Sequence, residues 1–447
     1  MKICLVTAFP PSGRQLNEYG FHLARELQRN PLVDLTILGD GLTRYEWATD
    51  KDGKALTDAQ ELPGFNVVRC WESNRLSNPL RLARTVRQLR PDIVWFNLVY
   101  SSFGTPEHPV AAFAGLCSPA LTRAIGYFTH ITLHHILEHV DFAGAGVKRE
   151  RLFRLGSEMA TRALLGADSV SVLLSGYRRT LLEKYAAENV LLGNHGTFSM
   201  CPSPPDFSLR DNPDQRILAI GHWGTYKRLE TLMEAFPAVL ASRPNARLII
   251  AGANHHTTPG YWESIRDRYG ANPRIEFRGY VAEADVPELF RTTSVVVLPY
   301  DSATGSSGPA HQACEYGVAL VSADLPDFRD MAAAENMAIH FYRTGDPVDL
   351  AGQLNALLES PSLRHQAAEQ NYAAALRMTM PNIVRNYLRW FELKRRRQTL
   401  DVSSRGRFSS RWRQLSLRSS LSLLPPPATR SSAPAGHSSA VNEAAAD

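Results

Sequence analysis

A lysine and a glycine-serine segment carry the residue types that could hold a phosphate group. Lys227 comes six residues after Gly221, where a short apolar segment ends. Residues Thr304–Gly308 have the sequence Thr-Gly-Ser-Ser-Gly and follow a second apolar segment, Ser294–Leu298. A lysine ammonium supplies positive charge, and glycine lets backbone N–H groups approach an anion closely. We therefore predict a diphosphate site in which Lys227 and the loop amides stabilise developing negative charge.

Short apolar segments alternate with amphipathic helices along two stretches of the chain, which predicts two doubly wound α/β domains with parallel sheets. The expected strands of the first domain are Lys2–Thr7, Asp34–Leu38, Phe65–Val68, Asp92–Phe96, His130–Leu133 and Ser169–Leu173. Those of the second are Arg216–Ile220, Arg247–Ala251, Ile275–Arg278, Ser294–Leu298, Ala319–Ser322 and Ala338–Tyr342. A helix predicted at Arg228–Ala241 places Lys227 where that helix begins. Ligands of such sheets bind outside the carboxyl ends of the strands, where both phosphate-binding segments are expected.

Composition predicts how the domains are divided. Turn residues are dense between Gly193 and Pro213, which indicates a linker. The predicted parts are a first Rossmann-like domain (1–198), a linker (199–214), a second Rossmann-like domain (215–380), a crossover helix returning to the first domain (381–395) and a basic disordered tail (396–447).

The net charge of +5 comes from the end of the chain. Residues 394–447 hold ten Lys or Arg against three acidic residues, so they carry +7 and residues 1–393 carry −2. A near-neutral body argues against nucleic acid as a partner. Residues 409–424 set Trp412 and leucines between arginines. Two interpretations stay open: a disordered tail, which the composition favours, and peripheral contact with an anionic membrane.

Cysteine usage and hydropathy bear on location. The five cysteines show no pairing or metal-binding spacing, which indicates a reducing compartment. With no signal peptide or apolar run of 18 residues recognised, we expect a cytoplasmic protein, at most peripheral on the inner membrane face. His135 and His139 have a spacing that binds metals on helices, but the preceding Ile131–Leu133 predicts a strand. No metal site is predicted.

Motifs in order along roughly residues 1–394 resemble those of GT-B glycosyltransferases, specifically glycosyltransferase family 4. Gly221 and Lys227 are similar to the family's glycine-arginine…lysine loop. The other matching segments are Ala167–Val170 with Ser175, Asn194–Gly196, Phe277–Val281, Asp285–Phe290, Ser294–Pro299 and His311–Ser322. The last of these resembles the family's E-A-x-A-x-G-x-P-V-V-x-S helix and strand.

The resemblance implies a retaining hexosyltransferase that needs no metal or other cofactor. Such an enzyme moves a sugar from a nucleotide sugar to a hydroxyl of a glycan, a lipid-linked acceptor or a small molecule. His134, in a segment resembling the family's T-x-H-D pattern, would orient the donor sugar. Gly13 and Arg14 would lie in a loop near acceptor and diphosphate. The implied donor-binding residues are Gly221, His222, Thr304, Gly305, Ser306, Ser307, Gly308 and Gln312.

Three positions and one loop depart from the family pattern. Thr304 and Gln312 stand where the family has two glutamates eight positions apart, and His222 replaces an arginine. The loop at Pro10–Glu18 lacks the usual Gly-Gly pair. Thr304 could contact a donor-sugar hydroxyl. Gln312 could bind a ribose hydroxyl or only pack its helix, and His222 could bind the donor or serve a structural role.

Two other functions stay open. A scaffold protein could keep the fold and lose catalysis, which the missing glutamates favour. A nucleotide-sugar epimerase could use the same fold. A phosphorylase would need a pyridoxal-binding lysine, and the sequence shows no pattern for one.

Overall fold

The structure is a computed structural model. The structure describes residues 1–12, 14–42, 64–105, 107–139, 150–198, 202–209, 214–225, 227–255, 258–282, 284–302 and 305–397. Residues Met1–Leu388 form one compact unit, and the helical residues 389–397 fall in a second. Both α/β domains lie within the first unit.

The first domain is built on a parallel sheet of seven described strands in the order β3-β2-β1-β4-β5-β6-β7. The strands are β1 (Lys2–Val6), β2 (Asp34–Asp40), β3 (Val67–Trp71), β4 (Ile93–Leu98), β5 (Phe128–Leu133), β6 (Ser169–Val172) and β7 (Val190–Leu192). Its helices are α1 (Asn17–Arg29), α2 (Asn78–Leu89), α3 (Pro109–Leu116), α4 (Ser118–Ala124), α5 (Glu150–Leu165) and α6 (Ser175–Tyr185). A 3₁₀ turn covers Leu137–His139.

The second domain is built on a parallel sheet of six described strands in the order β10-β9-β8-β11-β12-β13. The strands are β8 (Arg216–Trp223), β9 (Arg247–Asn254), β10 (Ile275–Gly279), β11 (Val295–Leu298), β12 (Ala319–Ala323) and β13 (Ile339–Tyr342). Its helices are α7 (Glu230–Ser242), α8 (Tyr261–Tyr269), α9 (Val286–Arg291), α10 (Gly308–Glu315), α11 (Pro326–Glu335), α12 (Pro347–Glu359) and α13 (Pro361–Arg377). A 3₁₀ turn at Phe207–Leu209 precedes this domain.

The core of each domain lies along its central strands. Every residue of β4, β11 and β12 is buried. Parallel strands covered on both faces need continuous apolar sequence, and this is why the apolar segments predicted the sheets well. The prediction of two doubly wound parallel sheets is confirmed.

The last helix of the compact unit returns to the first domain. Residues 380–388 are helical, and the Tyr387 hydroxyl lies 2.8 Å from Ser171 Oγ on β6. The Tyr387 ring also packs against Trp95 of β4, with ring centroids 4.7 Å apart. The crossover helix is therefore confirmed as far as residue 388. The predicted domain boundaries stay a prediction, and the tail beyond residue 397 lies outside the described residues.

One prediction near the site needs correction. β8 continues to Trp223, because residues 221–223 pair with Gly252–Asn254 of β9. Helix α7 then begins at Glu230 rather than Arg228. Lys227 therefore lies in a short hairpin ahead of the helix, where Lys227 N donates to Gly224 O at 3.0 Å.

Among the described residues, no helix combines the length and the apolar character needed to cross a bilayer.

Candidate functional site

The topology brings the two predicted phosphate-binding segments to one place. β8 and β11 are hydrogen-bonded neighbours in the second sheet, although they lie far apart in sequence. Lys227 follows β8, and the loop at residues 305–308 follows β11. The strand order reverses between these two strands, and such a switch point opens a crevice at the carboxyl edge of the sheet.

Lys227 points toward the end of β11. Its Nζ lies 4.8 Å from the centroid of the Tyr300 ring, which follows β11 by two residues. A Cβ added at Gly221 would lie 3.9 Å from the same Nζ. The lack of a side chain at Gly221 thus leaves space beside the ammonium group. Burial lowers the pKa of Lys227 to about 8, so the side chain is mostly protonated at neutral pH and would gain from an anionic partner.

The loop is connected to Lys227 through packed aromatic rings. The Tyr300 ring lies 5.8 Å from the ring of Phe328 on α11. The residue before Phe328 is Asp327, whose Oδ2 accepts a hydrogen bond from Gly305 N at 3.1 Å. Tyr300 and α11 therefore connect the Lys227 ammonium to Gly305, the first described glycine of the loop.

The loop leads into helix α10. Ser307 caps that helix, because its Oγ accepts from Ala310 N at 3.4 Å. Ser306 Oγ faces Met331 Sδ at 3.8 Å. The amides of Ser306 and Ser307 donate to no described residue. These two amides and the amino end of α10 can donate hydrogen bonds to an anion, whereas the Gly305 amide already donates to Asp327.

The first domain meets this loop at the end of β5. Gly305 has φ +95°, and a Cβ added there would lie 2.5 Å from the His134 carbonyl oxygen. Only glycine permits this backbone conformation and this close approach together. The structure therefore places His134 against the loop, across the boundary between the two domains.

The His134 side chain is held within the first domain. Its Nε2 lies 2.7 Å from Asn97 Oδ1, and its ring packs edge-on against Tyr19, with centroids 4.5 Å apart. Burial, reinforced by the neighbouring His135, lowers the pKa of His134 to about 3. His134 is therefore neutral at physiological pH. If the Asn97 oxygen accepts from Nε2, the remaining Nδ1 can accept a hydrogen bond but not donate one.

A histidine–glutamate pair beneath the loop was not predicted from the sequence. His311 Nε2 lies 2.8 Å from Glu335 Oε2, and its Nδ1 lies 2.7 Å from Ser307 O. Both ring nitrogens thus face acceptors, which favours the doubly protonated imidazolium. Burial alone would lower the pKa of His311, but the Glu335 carboxylate raises it above its usual value. Through its contact with Ser307 O, His311 holds the start of α10.

Two further contacts join α10 and α11 to the end of the first domain. Asn194 Nδ2 donates to Glu335 Oε1 at 3.3 Å, and Phe198 N donates to Glu315 Oε2 at 3.1 Å. His195 lies between the domains, with its ring centroid 4.7 Å from that of His311. Burial lowers the pKa of His195 to about 3, and the charge on His311 acts in the same direction.

The remaining predicted residues occupy different places. Gln312 is half-buried on α10, and its side chain has no hydrogen bond with a described residue. His222 is exposed on β8. The Arg14 guanidinium donates to Ser73 Oγ at 3.0 Å, within the first domain. The structure therefore gives no contact between Arg14 and Lys227 among the described residues. Gly13 and Thr304 lie outside the described residues.

Within the described ranges, no group of three or more His, Cys, Asp or Glu side chains is arranged to hold a metal ion.

A separate pocket of about 500 Å³ lies near the amino ends of β6 and β7. Its polar groups bond to each other: Arg123 Nε pairs with Asp168 at 3.1 Å, and Asn189 Nδ2 donates to Ala167 O at 2.7 Å. This pocket is remote from the candidate site.

Two doubly wound domains and a final helix that returns to the first sheet define the GT-B fold, the class of protein predicted from the sequence. Solved structures agree with this fold. Anabaena HepE in complex with UDP and glucose superposes with a TM-score of 0.60 at 17% identity, over 88% of this chain and 99% of that chain. Sucrose-phosphate synthase from Thermosynechococcus elongatus superposes with a TM-score of 0.64 at 14% identity, over 89% of this chain and 99% of that chain. At these identities the likeness shows the fold.

Residues 214–360 match the family model described as "Glycosyl transferases group 1", which confirms the predicted family resemblance for the second domain. An uncharacterized glycosyltransferase of Methanocaldococcus jannaschii is 31% identical over 86 residues. This match covers 19% of the chain and spans about a fifth, 21%, of the relative's length.

Proposed function

We propose that this protein transfers a sugar from a nucleotide-sugar donor to an acceptor hydroxyl with retention of anomeric configuration. The observation that carries the proposal is the placement of the Lys227 ammonium and the 305–308 loop at neighbouring strand ends of the second domain. The family match covers that same region, residues 214–360. A glycan, a lipid-linked acceptor or a small molecule would supply the hydroxyl.

Each group has a role in this reaction. The acceptor oxygen forms a bond to the anomeric carbon on the face from which the nucleoside diphosphate departs. The bond between that carbon and the β-phosphate oxygen breaks, and a phosphate oxygen takes the acceptor proton. Lys227 and the amides of Ser306 and Ser307 stabilise the charge that grows on the leaving diphosphate, and they do so without a metal ion in this proposal. The arrangement is effective because the ammonium is already partly desolvated.

The neutral residues would bind the sugar and the nucleoside. His134 can accept a hydrogen bond from a hydroxyl of the donor sugar. Gln312, on the first turns of α10, can bond a ribose hydroxyl. Neutral hydrogen bonds of this kind orient a substrate, but they contribute less than charge-assisted ones.

The test is direct binding followed by product analysis. Thermal shifts are measured with UDP, GDP, ADP and the corresponding nucleotide sugars. UDP is tested first, because Anabaena HepE was solved with UDP and with UDP-glucose. The donor that shifts the melting temperature is then incubated with candidate acceptors, and the product is identified by mass and by anomeric configuration. If no nucleoside diphosphate shifts the melting temperature at millimolar concentration, the alternative of a non-catalytic scaffold is favoured and the proposal fails.

A further inference from the structure

Asp327 lies where the two domains and the glycine-serine loop meet. It is the second residue of α11, and its side chain is buried. One carboxylate oxygen, Oδ2, accepts two hydrogen bonds: Gly305 N donates at 3.1 Å and the Tyr177 hydroxyl donates at 2.7 Å. Gly305 belongs to the loop of the second domain, whereas Tyr177 belongs to α6 of the first domain.

The surroundings hold this arrangement in place. Tyr177 is fully buried, and its ring packs edge-on against His139, with centroids 4.8 Å apart. One turn further along α11, Asp330 Oδ2 accepts from Gly176 N at 2.8 Å and its Oδ1 from the Ser175 hydroxyl. The amino end of α6 is thus fixed against α11 by two carboxylates. Tyr177 therefore reaches Asp327 at a defined position.

The Asp327 carboxylate affects how a negatively charged ligand can bind at the loop. A buried carboxylate beneath the loop repels an anion unless donors compensate its charge. Gly305 N–H and the Tyr177 hydroxyl are two such donors on the same oxygen. The bond to Gly305 also fixes the direction of the next peptide units, Ser306 and Ser307, whose amides face no described acceptor.

We infer that Asp327 is a positioning residue through which Tyr177 of the first domain sets the conformation of the diphosphate loop. The inference rests on the proposed function. Neither side chain needs to touch the donor. Removing the Tyr177 hydroxyl should therefore weaken binding of a nucleoside diphosphate, even though this hydroxyl lies in the other domain.

The test compares matched variants of the full chain by calorimetric titration with the nucleoside diphosphate that binds the wild type. Tyr177→Phe keeps the ring and removes one hydrogen bond to a charged group, and we expect the Kd to rise about 10-fold. Asp327→Asn retains an oxygen acceptor and should stay within about 3-fold of wild type, whereas Asp327→Ala should weaken binding at least ~10-fold. In the Asp327→Ala background, Tyr177→Phe should have a much smaller effect, because its carboxylate partner is already absent.

A control lies on the same helix. The Tyr185 hydroxyl, at the end of α6, donates to Glu138, so Tyr185→Phe also removes a tyrosine–carboxylate hydrogen bond. We expect this variant to lose stability without losing diphosphate affinity. Melting temperatures without ligand report folding, and the KM values for donor and acceptor are measured separately. The donor KM should rise in Tyr177→Phe while the acceptor KM stays unchanged.

The outcomes are distinguishable. If the wild type binds none of the nucleoside diphosphates, the proposed function fails and the inference fails with it. If the wild type binds but Tyr177→Phe binds equally well, only the inference is overturned. Equal losses in Tyr177→Phe and Tyr185→Phe would also overturn it, since they would indicate general destabilisation.

Discussion

The two sheets bring different chemistry to the edge where they meet. The second domain contributes cations: Lys227 beside the loop, and the His311 imidazolium beneath it, paired with Glu335 at 2.8 Å. The first domain contributes neutral rings, because burial lowers the pKa of both His134 and His195 to about 3. In the proposed reaction, one domain would stabilise charge and the other would orient uncharged groups.

The difference has a physical basis at the closest approach. His195 and His311 have ring centroids only 4.7 Å apart. Two imidazolium groups at that separation in a buried site would repel each other, so only one of the two rings can carry a positive charge. The Glu335 carboxylate favours the positive charge on His311, because it raises the pKa of that ring. The cationic character of the second domain therefore helps to keep the first domain neutral.

The largest expected effect comes from removing the cation beside the loop. Lys227→Ala should reduce turnover at least ~100-fold, which is the usual scale for one preorganised electrostatic contact in a transition state. Steady-state rates at saturating donor measure the effect. Arg228→Ala is the matched control, because Arg228 is half-exposed and pairs with Asp301 at 3.1 Å instead. Near-normal turnover in Lys227→Ala would show that another group stabilises the leaving diphosphate.

A second test disrupts the contact between Gly305 of the second domain and His134 of the first domain. Gly305→Ala should weaken donor binding about 30-fold, because a side chain at φ +95° costs about 1–2 kcal/mol and its Cβ would also meet the His134 carbonyl oxygen. Gly126→Ala carries the same backbone strain at φ +98°, with no atom within 4 Å of the new Cβ. This control should lower the melting temperature but preserve donor affinity. Equal donor affinity in the two variants would contradict the close contact.

The pH dependence compares the two domains in one experiment. The pKa of Lys227 is lowered to about 8, so the ligand-free protein loses this positive charge as pH rises through that value. We expect kcat/KM to fall about tenfold by pH 9, since this parameter reports groups of the free enzyme. His134, with a pKa of about 3, should add no change between pH 5 and 8. In Lys227→Arg the alkaline loss should disappear, and its persistence would assign the titration to another group.

Local sequence predicted the sheets well because buried parallel strands are short, continuous apolar segments. It failed where apolar content was uniform or where pairing extended a strand. The fully apolar segment Pro109–Leu116 has no amphipathic period, so α3 was missed. β7 has only three residues, too few for a pattern. The prediction ended β8 at Ile220, because Gly221 has a low strand preference; the strand continues to Trp223 because residues 221–223 pair with β9.

Positions in the candidate site could be predicted only for residues that directly follow a recognisable strand in the sequence. Lys227 and the glycine-serine loop follow strands, so their positions could be inferred from the switch-point rule. Asp327 and Tyr177 are 150 residues apart and give no local sign that they meet. The same is true of His311 and Glu335, which lie on separate helices, α10 and α11, and meet only in the folded structure. Neither contact could be predicted from spacing.

The smallest expected effect concerns Gln312, where the family pattern has a glutamate. A neutral amide bonded to a ribose hydroxyl contributes about 1 kcal/mol, so Gln312→Ala should raise the donor Kd about 5-fold. Gln312→Glu places a carboxylate at the same half-buried position and should lower the Kd below the wild-type value, because charge-assisted hydrogen bonds are stronger. Titration of the three proteins with one donor measures both changes. Equal affinities would mean that Gln312 only packs α10, and the nucleoside would then be held by other residues of the second domain.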